Sequence, residues 1–186
     1  YTNPKFVDEL CDRLVTMTIE QGKRFIEIGV DIILIGDDFG MQTGLMVPPK
    51  IWRKYFRDRL KKLVDSLKSK RDVYVLYHSD GKIEQIIPDL IECGVDALHP
   101  IQPDCMDPAE IKSAYGDRLT LYGTVSVQKT LSMGNVQDVR REVIERIETC
   151  GENGGLVLAP AHVPQPETRV ENIVALYETV QKWEKK

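Results

Sequence analysis

Apolar and polar positions along the chain follow two rhythms that take turns. After Asn3-Pro4, a cap residue and a proline suited to the first helical position, Phe6, Leu10, Leu14, Met17, Phe25 and Ile28 recur at helical spacing, and Gly29 ends the run. Residues 30–36 form a short continuous apolar stretch, which predicts a strand of the kind parallel sheets bury on both faces. The pattern then repeats. Pro48-Pro49 opens a helix whose stripe runs Ile51, Trp52, Tyr55, Phe56, Leu60, Leu63, Val64 and Leu67, and a strand follows at 73–78. Further helices are expected at 83–93, 109–115, 136–150 and 168–183, with strands at 95–100, 118–123 and 154–160 between them.

Strict alternation without an Asn-Gly hairpin signal predicts parallel strands joined by helical crossovers, an α/β chain. Two junctions share one phrase, Glu27-Ile28-Gly29-Val30-Asp31 and Glu92-Cys93-Gly94-Val95-Asp96. Five strands fit either an open sheet or the later part of a (β/α)8 TIM barrel holding about five βα units. The repeated junction and the long helices favour the barrel. The start at Tyr1 rather than methionine favours a single domain over 1–186 that forms the carboxyl-terminal part of a longer one.

Composition narrows the function classes. At 186 residues and 42% hydrophobic content the chain supports one sizeable core. Its formal charge is −4, with the basic residues spread along helices, which argues against nucleic-acid and anionic-membrane partners. No apolar run is long enough for a membrane span, and the first residues do not form a signal peptide. Cys11, Cys93, Cys105 and Cys150 lack short paired spacing and read as reduced thiols of a cytoplasmic protein.

Chemistry-bearing residues gather where strands end: Asp37 and Asp38, His78 and Asp80, His99, Tyr122 with Ser126, and His162. All three histidines hold such positions, and a parallel fold brings strand ends to one face, where ligands sit. His78 and Asp80 stand two apart and project to one side if the extended backbone persists. With His162 they make a three-ligand metal set, zinc first, that leaves a position open for substrate. The competing reading makes Asp80 the cap of the next helix. Asp37 or Asp38 beside His162 would serve as acid and base, with one aspartate at most facing the pocket. Phe39, Tyr77, His99, Tyr122 and Ser126 are expected to line the substrate site.

As an ordered set, Gly36-Asp37-Asp38-Phe39-Gly40, Tyr77-His78-Ser79-Asp80-Gly81, Leu121-Tyr122-Gly123 and Leu158-Ala159-Pro160-Ala161-His162 resemble the later strands of the uroporphyrinogen decarboxylase superfamily. The resemblance implies a (β/α)8 barrel and one of two activities. One is decarboxylation of uroporphyrinogen. The other is methyl transfer between a small methylated substrate and a corrinoid carried by a partner protein, with zinc held by a His-x-Cys phrase and a later cysteine. His78 stands at that histidine, Asp80 at the first cysteine and His162 at the last, so the thiolates are replaced. Gly123-Thr124-Val125-Ser126-Val127 also departs from the decarboxylase phrase, and acids occupy strand ends where a polycarboxylate would need cations. Methyl transfer is therefore the preferred expectation, with the decarboxylase and a non-catalytic truncated barrel as alternatives.

Overall fold

Asn3 caps as its sequence position suggests, its Oδ1 accepting from the Phe6 amide at 3.1 Å, and α1 (Pro4–Glu27) follows. The computed structural model describes residues 2–183. From α1 the chain enters β1 (Ile32–Gly36) and then a small antiparallel clasp of β2 (Gly40–Met41) with β3 (Gly44–Leu45). The helix opened by the prolines is interrupted: α2 (Pro49–Trp52) passes through a π turn at Arg53–Arg57 into α3 (Asp58–Lys68). Next come β4 (Tyr74–His78), a 3-10 turn at Glu84–Ile86, α4 (Ile87–Glu92), β5 (Ala97–Ile101) and α5 (Pro108–Tyr115). The chain continues through β6 (Thr120–Val125), a second π turn at Val127–Leu131, α6 (Val136–Cys150), β7 (Leu156–Pro160) and α7 (Val170–Gln181).

The five long strands are all parallel and lie in the order β1-β4-β5-β6-β7. That order decides between the two architectures. An open doubly wound sheet reverses direction once and carries helices on both faces. Here each new strand is added on the same side, and right-handed crossovers then place every helix on one face, as in a barrel wall. The burial agrees: Ile33, Ile35, Val75, Tyr77, Leu98 and Leu121 pack with Ile19, Ile26, Leu63, Leu67, Leu90 and Ile111 of the helices.

The opposite face differs from expectation at its edges. The apolar run predicts a first strand buried on both sides, yet Ile32 and Leu34 are 59% and 63% exposed, and Tyr74 of β4 is 65% exposed. Among the described residues no strand pairs with the outer edge of β1 or of β7.

Candidate active site

The site begins with strand register. Gly36 pairs with His78 and His78 with His99 across β1, β4 and β5. Neighbouring strands lie about 4.8 Å apart, so rings in register on one face stack. The His78 and His99 rings lie 5.0 Å apart at 27°, with their Nδ1 atoms 2.8 Å apart. Tyr122 extends the row, edge-on to His99 at 4.8 Å. A Cβ on residue 36 would collide with the His78 backbone, so glycine is what lets β1 close up beside the histidine.

Beyond His78 the chain leaves the strand, and four successive amides each find a different partner. Ser79 donates to the His99 carbonyl at 2.9 Å, Asp80 to Asp38 Oδ1 at 2.9 Å, Gly81 to Gln102 Oε1 at 3.0 Å and Lys82 to the Met41 carbonyl at 2.8 Å. The buried Ser79 hydroxyl accepts from the Phe39 amide at 3.0 Å, tying the loop after β1 to the end of β4. Gly81 adopts φ +80° and lies against the Gly40 backbone, an approach that a side chain on either residue would prevent. The loop is thus fixed by hydrogen bonds to the segments following β1 and β5, which is how a pre-organised site is held.

This frame converges Asp38, His78 and Asp80, whose ligand-capable atoms lie within 4.8 Å of one another. His78 Nε2 is 3.5 Å from Asp38 Oδ1 and 3.9 Å from Asp80 Oδ2, and His162 Nε2 is 3.5 Å from Asp80 Oδ2. Among the described residues neither carboxylate pairs with a lysine or arginine. Two carboxylates and an imidazole that no lysine or arginine neutralises among the described residues form a donor set suited to a divalent cation such as zinc. His78 and Asp80 do share a side, as their spacing suggested. Asp38 joins them in the tight group, while His162, half-exposed, stands beside Asp80. Asp80 is no helix cap, because the next helical turn starts only at Glu84 and has no side-chain cap. Burial, then the charges of His78 and His162, pushes His99 down to about 4.

Four expected site residues lie elsewhere. Asp37 lines a cavity of about 430 Å³ with Cys11, Phe39, Trp52, Arg59 and Tyr77, whereas Asp38 serves the cluster. Successive residues in extended backbone face opposite ways, so only one aspartate reaches the site. Desolvation, then Asp38, raises the Asp37 carboxyl above its ordinary range. Phe39 packs edge-on against Trp52 at 6.1 Å and tilted on Phe56 at 4.7 Å. Tyr77 is buried, its hydroxyl pushed upward by desolvation. Phe39 and Tyr77 are therefore packing residues on the helical side of the sheet. Ser126 is buried too: its hydroxyl donates to Asp104 Oδ2 at 2.6 Å and accepts from the Lys129 amide at 3.0 Å, capping the turn that follows β6.

Beside the cluster lies a concavity of about 530 Å³, lined by Asp80, His162, Met41 and Val127 together with Gln42, Gln102, Gln128 and Gln165. The glutamines did not stand out in the sequence. Gln102 follows β5 directly, and the strand-end rule that selected His99 applies to it equally.

Comparisons with known proteins converge on one family. The family described as Uroporphyrinogen decarboxylase (URO-D) matches residues 1–183. A methylcobamide:CoM methyltransferase, MtaA, of Methanosarcina barkeri is 32% identical over 170 residues, which cover 91% of this chain and 47% of that protein. A uroporphyrinogen decarboxylase of Coxiella burnetii is 24% identical over 184 residues, covering 97% of this chain and 48% of that one. Among solved structures, a methyltransferase from Methanosarcina mazei superposes with a TM-score of 0.78 at 26% identity, over 94% of this chain and 49% of its own. The chain thus spans about half the length of the relatives it matches.

Proposed function

The chain belongs to the uroporphyrinogen decarboxylase family, and from that premise we propose that it serves methyl transfer between a small methylated substrate and a corrinoid carried by a partner protein. The carrying observation is the Asp38–His78–Asp80 cluster, three ligand-capable groups within 4.8 Å of one another and without a lysine or arginine partner among the described residues. In this reading these three side chains hold a divalent cation, zinc first. When bound, the cation supplies Lewis acidity that draws electron density from the heteroatom bearing the methyl group. His162, beside Asp80 and open to the concavity, is placed to deliver a proton to that heteroatom as it leaves. The glutamines offer amide donors and acceptors to a neutral polar substrate, and among the described residues no lysine or arginine lines the concavity. Among the described residues, that lining suits a neutral methylated substrate better than a polycarboxylate, which needs cationic partners.

The test is spectroscopic. Full-length protein loaded with zinc, offered free cob(I)alamin and a panel of methylated alcohols, amines and thiols, is expected to form methylcobalamin with at least one donor. Turnover of uroporphyrinogen by the same preparation, with no methylcobalamin formed, would reverse the assignment. Neither reaction would leave a barrel segment that binds a ligand or partner without catalysis.

A further inference from the structure

We propose that His99 is the positioning residue for His78: their Nδ1 atoms share one hydrogen, and His99 supplies the acceptor that His78 needs when its Nε2 lone pair serves the carboxylate cluster. The inference rests on the cation-site reading above and goes beyond it.

The argument is one of hydrogen counting. A neutral imidazole carries one N–H and one bare nitrogen, and the hydrogen bond made by one nitrogen dictates what the other can do. At 2.8 Å the two Nδ1 atoms are within hydrogen-bond distance, so one must donate and the other accept. Neutral rings so joined must hold complementary tautomers, one protonated on Nδ1 and the other on Nε2. His78 Nε2 faces Asp38 and Asp80, the side on which a cation would sit. Ligation through that atom forces the hydrogen onto His78 Nδ1, and His99 Nδ1 is the atom positioned to receive it. With Nε2 of His78 protonated instead, the roles exchange and His99 donates. The pair therefore stays hydrogen-bonded in either state without gaining or losing a proton.

His99 is itself held. Its carbonyl accepts from Ser79, its peptide lies in register with His78, and its ring lies between His78 and Tyr122. Carboxylates and carbonyls commonly orient a ligating histidine, and loss of such a partner weakens metal affinity by about 10–100-fold. A second imidazole differs from these in being able to reverse the bond.

Two variants separate orientation from packing. His99→Phe keeps a flat ring for the stack and removes the acceptor. His99→Asn gives up the ring but places an amide oxygen near the position of Nδ1. Zinc titration of the intact chain is expected to show affinity falling about 10–100-fold in His99→Phe and returning to within several-fold of the parent in His99→Asn. Long-range 1H–15N spectra of the metal-free parent at mildly alkaline pH are expected to show complementary tautomers for His78 and His99. Parent-like zinc affinity in His99→Phe, or the same tautomer in both rings, would overturn the proposal. Complementary tautomers in a parent that takes up no zinc would sink the cation site while upholding the pairing.

Discussion

Ser79, Asp80 and Gly81 place the ligand-capable side chains by backbone hydrogen bonds rather than by side-chain packing, so the site is most sensitive at its glycines. Gly81→Ala would bring a Cβ against Gly40 in a backbone region unfavourable to side chains. It is expected to destabilise the fold by about 1–3 kcal/mol, read by chemical denaturation, and to weaken zinc binding by displacing Asp80. The two adjacent aspartates give a sharper comparison. Asp38→Asn removes a ligand and weakens the acceptor for the Asp80 amide, and should lower zinc affinity by more than about 100-fold. Asp37→Asn alters the wall of a different cavity and should leave zinc affinity within about two-fold of the parent, by the same titration. Strand-end position and two-residue spacing point in the sequence to His78 and Asp80 with His162 as the third ligand, whereas the structure groups Asp38 with His78 and Asp80. Which of Asp37 and Asp38 faces the cluster depends on how the chain leaves β1, and no residue pattern encodes that.

Among the elements, α6 has the clearest terminal signal. Asn135 Oδ1 accepts from the Gln137 and Asp138 amides while the Asp138 carboxylate accepts from Asn135, a reciprocal capping box. The Asn135 amide, then Arg141, holds the Asp138 carboxyl below its ordinary range. A carboxyl lowered in the folded state adds stability above its unfolded pKa and loses it as pH falls through the folded one. The melting-temperature gap between parent and Asp138→Asn should therefore be widest near neutrality and close in acid. A second linkage joins the first π turn to α4: Asp89, buried, accepts from Arg53 at 2.9 Å and pairs with Arg57 Nε at 3.1 Å. Asp89→Ala should cost about 2–3 kcal/mol in denaturant unfolding, since the two arginines left behind can still rehydrate. The long helices were readable from their stripes. The π turn was not, because the apolar spacing through Trp52, Tyr55, Phe56 and Leu60 also satisfies an uninterrupted helix. Two-residue strands such as β2 and β3 are too short to show alternation.

At the scale of the whole molecule, the sequential parallel order was implicit in the alternating pattern, but the open inner face was not. A continuous apolar run treats Ile32 and Ile33 alike, although one is 59% exposed and the other 7%. Leu34 of β1, Tyr74 of β4 and Val157 of β7 are exposed as well. Every functional statement above depends on a cation being held where β1 and β4 end. The direct measurement is metal analysis of the intact chain after zinc titration and exhaustive dialysis, with the Asp38→Asn/His78→Ala/Asp80→Asn variant as control. One equivalent of zinc retained by the parent and none by the variant is the result predicted. Equal zinc in both, with the parent folded by circular dichroism, would contradict the site and the methyl-transfer reading built on it.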